Sequence, residues 1–185
     1  MSLKERLIKN STVSHTAILT ESKIYGKKDM IPTAIPMINV ALSGRIDGGL
    51  TPGLTVLAAP SKHFKTAFSL LMASAFLKRY SDGVVLFYDS EFGTPQSYFD
   101  MFGVPKESVI HTPVTDIEQL KFDIMKQMDE IKRDDKVMII IDSIGNLASK
   151  KEVEDAMKQN SAARSEEHTS ELQSRFGISY AVFCL

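Results

Sequence analysis

A lysine and a threonine open a helix directly after a short apolar strand and a tight loop. The strand runs from Leu54 to Ala59, the loop reads "PSKHF", and the helix begins at Lys65-Thr66 and continues to Arg79. Backbone N–H groups and the dipole at a helix N-terminus favour a bound phosphate. In such a loop the lysine reaches the outer phosphates and the hydroxyl holds Mg²⁺. The stretch therefore predicts a phosphate-binding loop, with an ordinary strand–loop–helix as the alternative.

The loop departs at two positions from the usual composition of phosphate-binding loops. Glycine is typical where this chain has Ala59 and Phe64, because the backbone must turn sharply and approach the ligand closely. A methyl group at Ala59 is expected to crowd the loop. The residues expected to surround the phosphate are Ala59, Pro60, Ser61, Lys62, His63, Phe64, Lys65 and Thr66.

Carboxylates follow two further apolar strands. Asp89-Ser90-Glu91 ends the run that starts at Val84, and Asp142-Ser143 ends the run that starts at Val137. An acidic residue at a strand end beside a phosphate loop positions Mg²⁺, directly or through water. Because Mg²⁺ keeps several waters, one carboxylate and one hydroxyl suffice. Glu91 is placed to polarise a water for attack on a γ-phosphate. Each carboxylate alone could be a helix N-cap, but the clusters together favour a nucleotide site.

Strands that alternate with helices must position these groups. Apolar runs predict strands over 54–59, 84–89, 109–112 and 137–141, with helices over 65–79, 94–101 and 116–132. This alternation is typical of a parallel, doubly wound α/β sheet, whose right-handed crossovers bring the carboxyl ends of the strands to one edge. Ligands bind at that edge. The last helix has an apolar stripe made of Ile117, Leu120, Ile124, Met128 and Ile131.

The N-terminal region is predicted to be a small appendage. Residues 2–9 form an amphipathic helix in this interpretation, and residues 17–25 form either a second short helix or an extended arm. So small a unit cannot bury its own apolar face. It is expected to pack either on its own domain or on a neighbouring subunit.

Composition limits the class of protein. The chain has 185 residues, 43% of them hydrophobic and 24% charged, which is ordinary for a globular protein. The net charge of −1 gives no global basic field that would indicate a nucleic-acid partner. A single cysteine, Cys184, excludes an internal disulfide and fits a reducing cytosol. The sequence predicts neither a membrane span nor a signal peptide.

Five segments resemble the N-terminal half of UvsX-type phage recombinases within the RecA family. The segments read "IPMINVALSG", "GGLTPGLTVLAAPSKHFKT", "LFYDSEFG", "VIHTPV" and "IIIDSIGNLASKKE", and the resemblance as a whole extends over residues 1 to about 158. Members of this family carry Phe before the Lys, as this chain does, but usually Gly where it has Ala59. The resemblance implies a RecA-like P-loop core that uses ATP and Mg²⁺, polymerises on single-stranded DNA and exchanges strands with a duplex.

The resemblance also implies roles for individual residues. It assigns phosphate and Mg²⁺ contacts to Lys65 and Thr66, the second acidic Mg²⁺ position to Asp142, and the catalytic carboxylate to Glu91. It puts Tyr98 where the family stacks on adenine. The segment up to about Met30 is expected to contact the adjacent subunit of a filament, in the cytoplasm of a bacterial host.

The sequence predicts three regions: an arm over residues 1–30, a partial ATPase core over 31–160, and a tail over 161–185. The blocks "RSEEHTSELQS" and "ISYAVFCL" resemble the in-frame translation of a sequencing adapter, so Arg164 to Leu185 is expected to be non-native. By resemblance, the missing half supplies a strand between those ending at Ala59 and Ile141. Its absence would leave unpaired backbone groups, and the apolar Ile178 to Leu185 is expected to fill the gap.

Three alternatives remain open from the sequence. The core also suits a RecA-like hexameric replicative helicase, because the ring-versus-filament difference lies mostly outside it. Ala59 and Phe64 leave room for a non-catalytic ATP-binding or assembly protein. The chain as written is also compatible with an inactive half-domain.

Overall fold

The computed structural model describes residues 2–22, 30–151 and 178–184, and these residues form a mixed α/β fold. The strands are β1 (Leu54–Pro60), β2 (Val84–Asp89), β3 (Val109–Pro113), β4 (Val137–Asp142) and β5 (Ile178–Cys184). The helices are α1 (Leu3–Lys9), α2 (Pro36–Ser43), α3 (Lys65–Arg79), α4 (Gln96–Met101) and α5 (Ile117–Glu130). Each strand predicted over 54–141 is present to within one residue at either end.

The sheet has the strand order β1-β5-β4-β2-β3. β2 pairs in parallel with both β3 and β4, as the alternation of strands and helices predicted. β5 runs antiparallel to both β1 and β4, so β1 points in the same direction as the three parallel strands. The carboxyl ends of β1 to β4 therefore share one edge of the sheet.

Helices cover both faces of the central strands. On one face, α3 packs Leu70, Ala73 and Phe76 against a core that includes Phe87 and Ile140. On the other face, α5 contributes Leu120 to a second cluster that contains alternate residues of β2 and β4: Leu86, Tyr88, Ile139 and Ile141. Burial on both faces explains why these strands read as continuous apolar runs.

β5 occupies the middle of the sheet, between β1 and β4. Ala181 lies opposite Leu57 on one side and Asp142 on the other, and Val182 lies opposite Val56 and Ile141. The expectation that the apolar C-terminal segment fills this position is confirmed for Ile178–Cys184, while Leu185 lies outside the described residues. The backbone groups of β1 and β4 that face each other across the gap are thereby paired.

Two helices differ from their predicted extents. α4 begins at Gln96 instead of Thr94 because Pro95 takes the N-cap position, and the residue before a proline avoids helical backbone. α5 begins after Asp116, whose side chain accepts a hydrogen bond from the Gln119 N–H, and it ends at Glu130. The predicted burial of the apolar stripe is wrong at Met128. This side chain is 59% exposed and lines a cavity near the end of α5.

In the described part of the N-terminal region, the predicted first helix is present as α1. Ser2 and Glu5 form a reciprocal capping box at its start, and no residue of this helix is buried. The segment that follows contains a 3₁₀ turn at Leu19–Glu21, and residues 23–29 lie outside the described ranges. Across the described residues, no helix combines the length and the apolar character that crossing a bilayer requires.

Substitutions at Val182 test the role of β5. Val182→Pro removes one N–H from a strand that is paired on both sides, so a buried carbonyl loses its partner. We expect the free energy of unfolding in urea, followed by circular dichroism, to fall by at least ~1–3 kcal/mol relative to Val182→Ala, which keeps the N–H. Equal stability of the two variants would exclude a central position for this strand.

Candidate functional site

A cavity of about 550 Å³ opens at the carboxyl edge of the sheet. It is formed by the loop after β1, the loop after β2 and the end of β4. Its lining residues are Ser61, Lys62, His63, Phe64, Lys65, Thr66, Glu91, Gly93, Thr94, Pro95, Tyr98 and Asp142. The cavity thus brings together the predicted site residues except Ala59 and Pro60, which belong to β1.

The loop between β1 and α3 makes its turn with two left-handed residues. Lys62 has φ +64° and Phe64 has φ +57°, a region that costs an L-residue about 1–2 kcal/mol. Phe64 therefore stands where glycine would be unstrained, as the sequence indicated. Ala59 does not, because it lies in β1 opposite Ser179. The left-handed backbone of Lys62, which the sequence predicted only as a loop residue near the phosphate, was not anticipated.

Lys65 is the first residue of α3 and its side chain crosses the loop. Its Nζ donates hydrogen bonds to the carbonyl oxygens of Ala59 (3.3 Å) and Pro60 (3.0 Å). The residue is 7% exposed although it carries a charge. Ala59 and Pro60 therefore act on the site through their carbonyl groups, which hold the ammonium beside the cavity.

Thr66 and Asp142 join the start of α3 to the end of β4. The Thr66 hydroxyl donates to Asp142 Oδ2 at 2.5 Å. The other carboxylate oxygen, Oδ1, is buried and has no hydrogen-bond partner among the described residues. Burial raises the pKa of Asp142, and the charges of Glu91 and Asp89 add to the rise, while Thr66 and Lys65 oppose it.

A hydroxyl beside a carboxylate with an unpaired oxygen is a donor set that suits a hard cation such as Mg²⁺. Within residues 2–22, 30–151 and 178–184, no group of three or more His, Cys, Asp or Glu side chains could hold a metal ion. A cation here would consequently take the remainder of its ligands from water or from a bound anion. The residues present fit such an ion.

Glu91 is held by a residue whose role the sequence did not indicate. The Ser143 hydroxyl donates to Glu91 Oε1 at 3.0 Å, and Ser143 itself is fully buried. Ser90 secures this arrangement: its hydroxyl donates to the Ser143 carbonyl (2.6 Å) and accepts from the Ser143 N–H (3.0 Å). The pairing depends on two strand ends meeting in space, so no local sequence pattern could have revealed it.

The remaining predicted residues lie on the rim of the cavity. Tyr98 projects from α4 and packs edge-to-face against Phe102, with ring centroids 5.1 Å apart. His63 is exposed, as expected from the sequence, and its Nδ1 contacts the Ser61 carbonyl at 2.9 Å. An aromatic ring and a cationic loop therefore line the same cavity as the carboxylates.

Comparison with known proteins relates the chain to a phage protein. No protein-family model matches this sequence. The chain is 55% identical over 157 residues to the recombination and repair protein of Enterobacteria phage T4. This similarity covers 85% of the chain but 40% of the phage protein, so the chain spans about two fifths of that relative's length. The resemblance inferred from the motifs is confirmed at the level of a phage recombination and repair protein.

Asp142→Asn is expected to stabilise the protein. A carboxyl whose pKa is raised by burial is costly to ionise in the folded chain, so the cost appears as pH rises above ~4, where the unfolded chain ionises. We expect the melting temperature without divalent cations to rise by ~2–4 °C at neutral pH, or about 1 kcal/mol, and to change little near pH 4. Calorimetry of both proteins checks this; a lower melting temperature at neutral pH would contradict it.

Substitution of Phe64 tests the strain in the loop. Phe64 is 71% exposed, so its removal sacrifices little burial. Phe64→Gly relieves the left-handed backbone, whereas Phe64→Ala keeps a Cβ atom in the same conformation. In urea titration, we expect the free energy of unfolding of the glycine variant to exceed that of the alanine variant by about 1 kcal/mol. Equal values would mean that the loop is not strained at this position.

Proposed function

We propose that this chain is the nucleotide-binding part of a RecA-like phage recombinase that hydrolyses ATP while assembled on single-stranded DNA. The observation that carries the proposal is the meeting of Lys65, Thr66, Glu91 and Asp142 in one cavity, from three separate strand ends. The similarity to a phage recombination and repair protein supports the DNA-related role. Pairing of a single strand with a homologous duplex would be the task of the complete protein.

Nucleotide binding would depend on the loop and the rim of the cavity. In the proposed complex the β- and γ-phosphates lie against the N-terminus of α3, with Lys65 Nζ moving from the loop carbonyls to the phosphate oxygens. Tyr98 would stack on the adenine, since it lines the same cavity as the loop.

Mg²⁺ would be held by the Thr66 hydroxyl and the Asp142 carboxylate. The Oδ1 atom of Asp142 has no hydrogen-bond partner among the described residues and so could coordinate the ion. When bound, the ion would neutralise phosphate charge. The protein's own contribution is the fixed distance between the two groups and the low-dielectric surroundings of Asp142, which is 2% exposed.

Glu91 would activate the water that attacks the γ-phosphate. It is exposed to the cavity, and its carboxylate is oriented by the Ser143 hydroxyl. A carboxylate in this role accepts the proton of the attacking water as the bond between the γ-phosphorus and the bridging oxygen breaks. Lys65 would stabilise the charge that develops on the departing phosphate.

Assembly would depend on α1. Its apolar residues Leu3 and Leu7 are 62% and 63% exposed, and no residue of this helix is buried on its own domain. Within the described residues this apolar face stays exposed, which favours a neighbouring copy as the surface that covers it. This supports contact of the arm with a neighbouring subunit over packing of the arm on its own body.

The proposed hydrolysis is tested with Lys65→Ala and Glu91→Gln. Loss of the ammonium is expected to weaken ATP binding by about 10- to 100-fold in calorimetric titration, because a charge-assisted hydrogen bond is lost. Glu91→Gln is expected to retain binding and to lower the rate of phosphate release by ~10²–10⁴-fold. Both are measured with single-stranded DNA and Mg²⁺ present.

The matched control is Lys78→Ala, which removes the same charge from the exposed end of the same helix. It should leave ATP binding and hydrolysis unchanged. If Lys65→Ala binds ATP as tightly as this control does, the loop is not a phosphate site and the proposal is wrong. ATP binding without any hydrolysis in the unsubstituted chain would favour a non-catalytic nucleotide-binding role.

A further inference from the structure

Asp89 organises the turn that carries Glu91. It ends β2, is 2% exposed, and its Oδ1 accepts hydrogen bonds from the N–H groups of Glu91 (3.0 Å) and Phe92 (2.7 Å). A carboxylate that captures the amides two and three residues ahead fixes the path of the chain between them. The backbone from which the Glu91 side chain projects is therefore set by Asp89.

The turn needs this support because it is otherwise unfavourable. Phe92 has φ +52°, a conformation that a non-glycine residue adopts at a cost, and its side chain is 60% exposed. Little burial of Phe92 is available to offset that cost. The hydrogen bond from its N–H to Asp89 is the contact that holds it.

The second oxygen of Asp89 is also engaged. His111 Nε2 lies 3.2 Å from Oδ2 and donates to this oxygen in the tautomer that carries the Nε2 proton. His111 projects from the edge strand β3, and its ring stacks on Phe87 with centroids 6.1 Å apart. The Asp89 carbonyl in turn accepts from the Val114 N–H at 2.9 Å. Asp89 is thus fixed from β3 while it holds the turn.

We propose that Asp89 is a positioning residue for Glu91, with His111 keeping the Asp89 carboxylate in place. Asp89 sets the backbone of Glu91, and Ser143 sets its carboxylate, so the side chain is held at two points. The inference rests on the proposed function, in which Glu91 activates water. It adds a residue that touches neither nucleotide nor metal but determines where the reactive carboxylate stands.

The test compares Asp89→Ala with Asp89→Asn. Asparagine keeps an Oδ1 that accepts from both N–H groups, and its amide can donate to His111 in the other tautomer. Alanine removes every contact. We expect Asp89→Ala to lower kcat for ATP hydrolysis by about 100-fold and Asp89→Asn to restore most of the rate. KM and the Kd of a non-hydrolysable ATP analogue should stay within about twofold, because the phosphate loop is unaffected.

Asp116→Ala is the matched control. Asp116 also accepts a backbone N–H through its side chain, that of Gln119 at 2.7 Å, but it caps α5 and lies outside the cavity lining. It should lower the melting temperature without lowering kcat. If Asp89→Ala behaves like this control, or if kcat falls only in step with nucleotide affinity, Asp89 is merely structural and the inference is overturned.

A measurement without turnover separates this inference from the proposed function. In the full chain, the amides of Glu91 and Phe92 should be protected from hydrogen exchange, lose protection in Asp89→Ala and keep it in Asp89→Asn. The carboxyl carbon resonance of Glu91 should shift in Asp89→Ala and stay fixed in Asp116→Ala. If the chain hydrolyses no ATP, the proposed function fails, and these signals alone decide whether Asp89 positions Glu91. Amides of Glu91 and Phe92 that are unprotected in the full chain, or a Glu91 resonance that does not shift in Asp89→Ala, would refute the positioning role of Asp89.

Discussion

The hydrogen bond between Thr66 and Asp142 is the contact on which the site depends. It joins residues 76 positions apart, one at the start of α3 and one at the end of β4. It can form because β1 and β4 point the same way and their carboxyl ends reach one edge, although β5 lies between them. Two further groups of the cavity are tied to this pair: Lys65 precedes Thr66, and Ser143, which holds Glu91, follows Asp142.

The same edge concentrates the unfavourable features of the fold. Of the four non-glycine residues with left-handed backbone in the described chain, three lie here: Lys62, Phe64 and Phe92. The buried carboxylate of Asp142, with one oxygen unpaired, is found at the same place. By contrast, no described non-glycine residue within the strands, α3 or α5 has left-handed backbone. Strain and buried charge that cluster at one edge of an otherwise regular sheet are typical of a functional site.

Much of this arrangement could be predicted because it depends on short-range patterns. Continuous apolar runs indicated β2 and β4, and Asp142 and Glu91 stood out because they follow those runs. The contact between Ser143 and Glu91 and the capture of the Phe92 amide by Asp89 could not be predicted, since both depend on how two strand ends lie side by side. The burial of Met128 was predicted wrongly because periodicity shows which face of a helix is apolar but not how much of that face is covered.

The central position of β5 has a consequence for how the chain reaches its fold. β1 belongs to the first half of the sequence, yet its pairing partner is the last described segment. β1 and β4 cannot be joined through that strand until residues 178–184 have been synthesised. Non-local pairing of this kind raises contact order and slows folding. Until then β1 and β4 each lack a partner on the side that β5 later occupies, and unpaired strand edges of this kind favour self-association during folding.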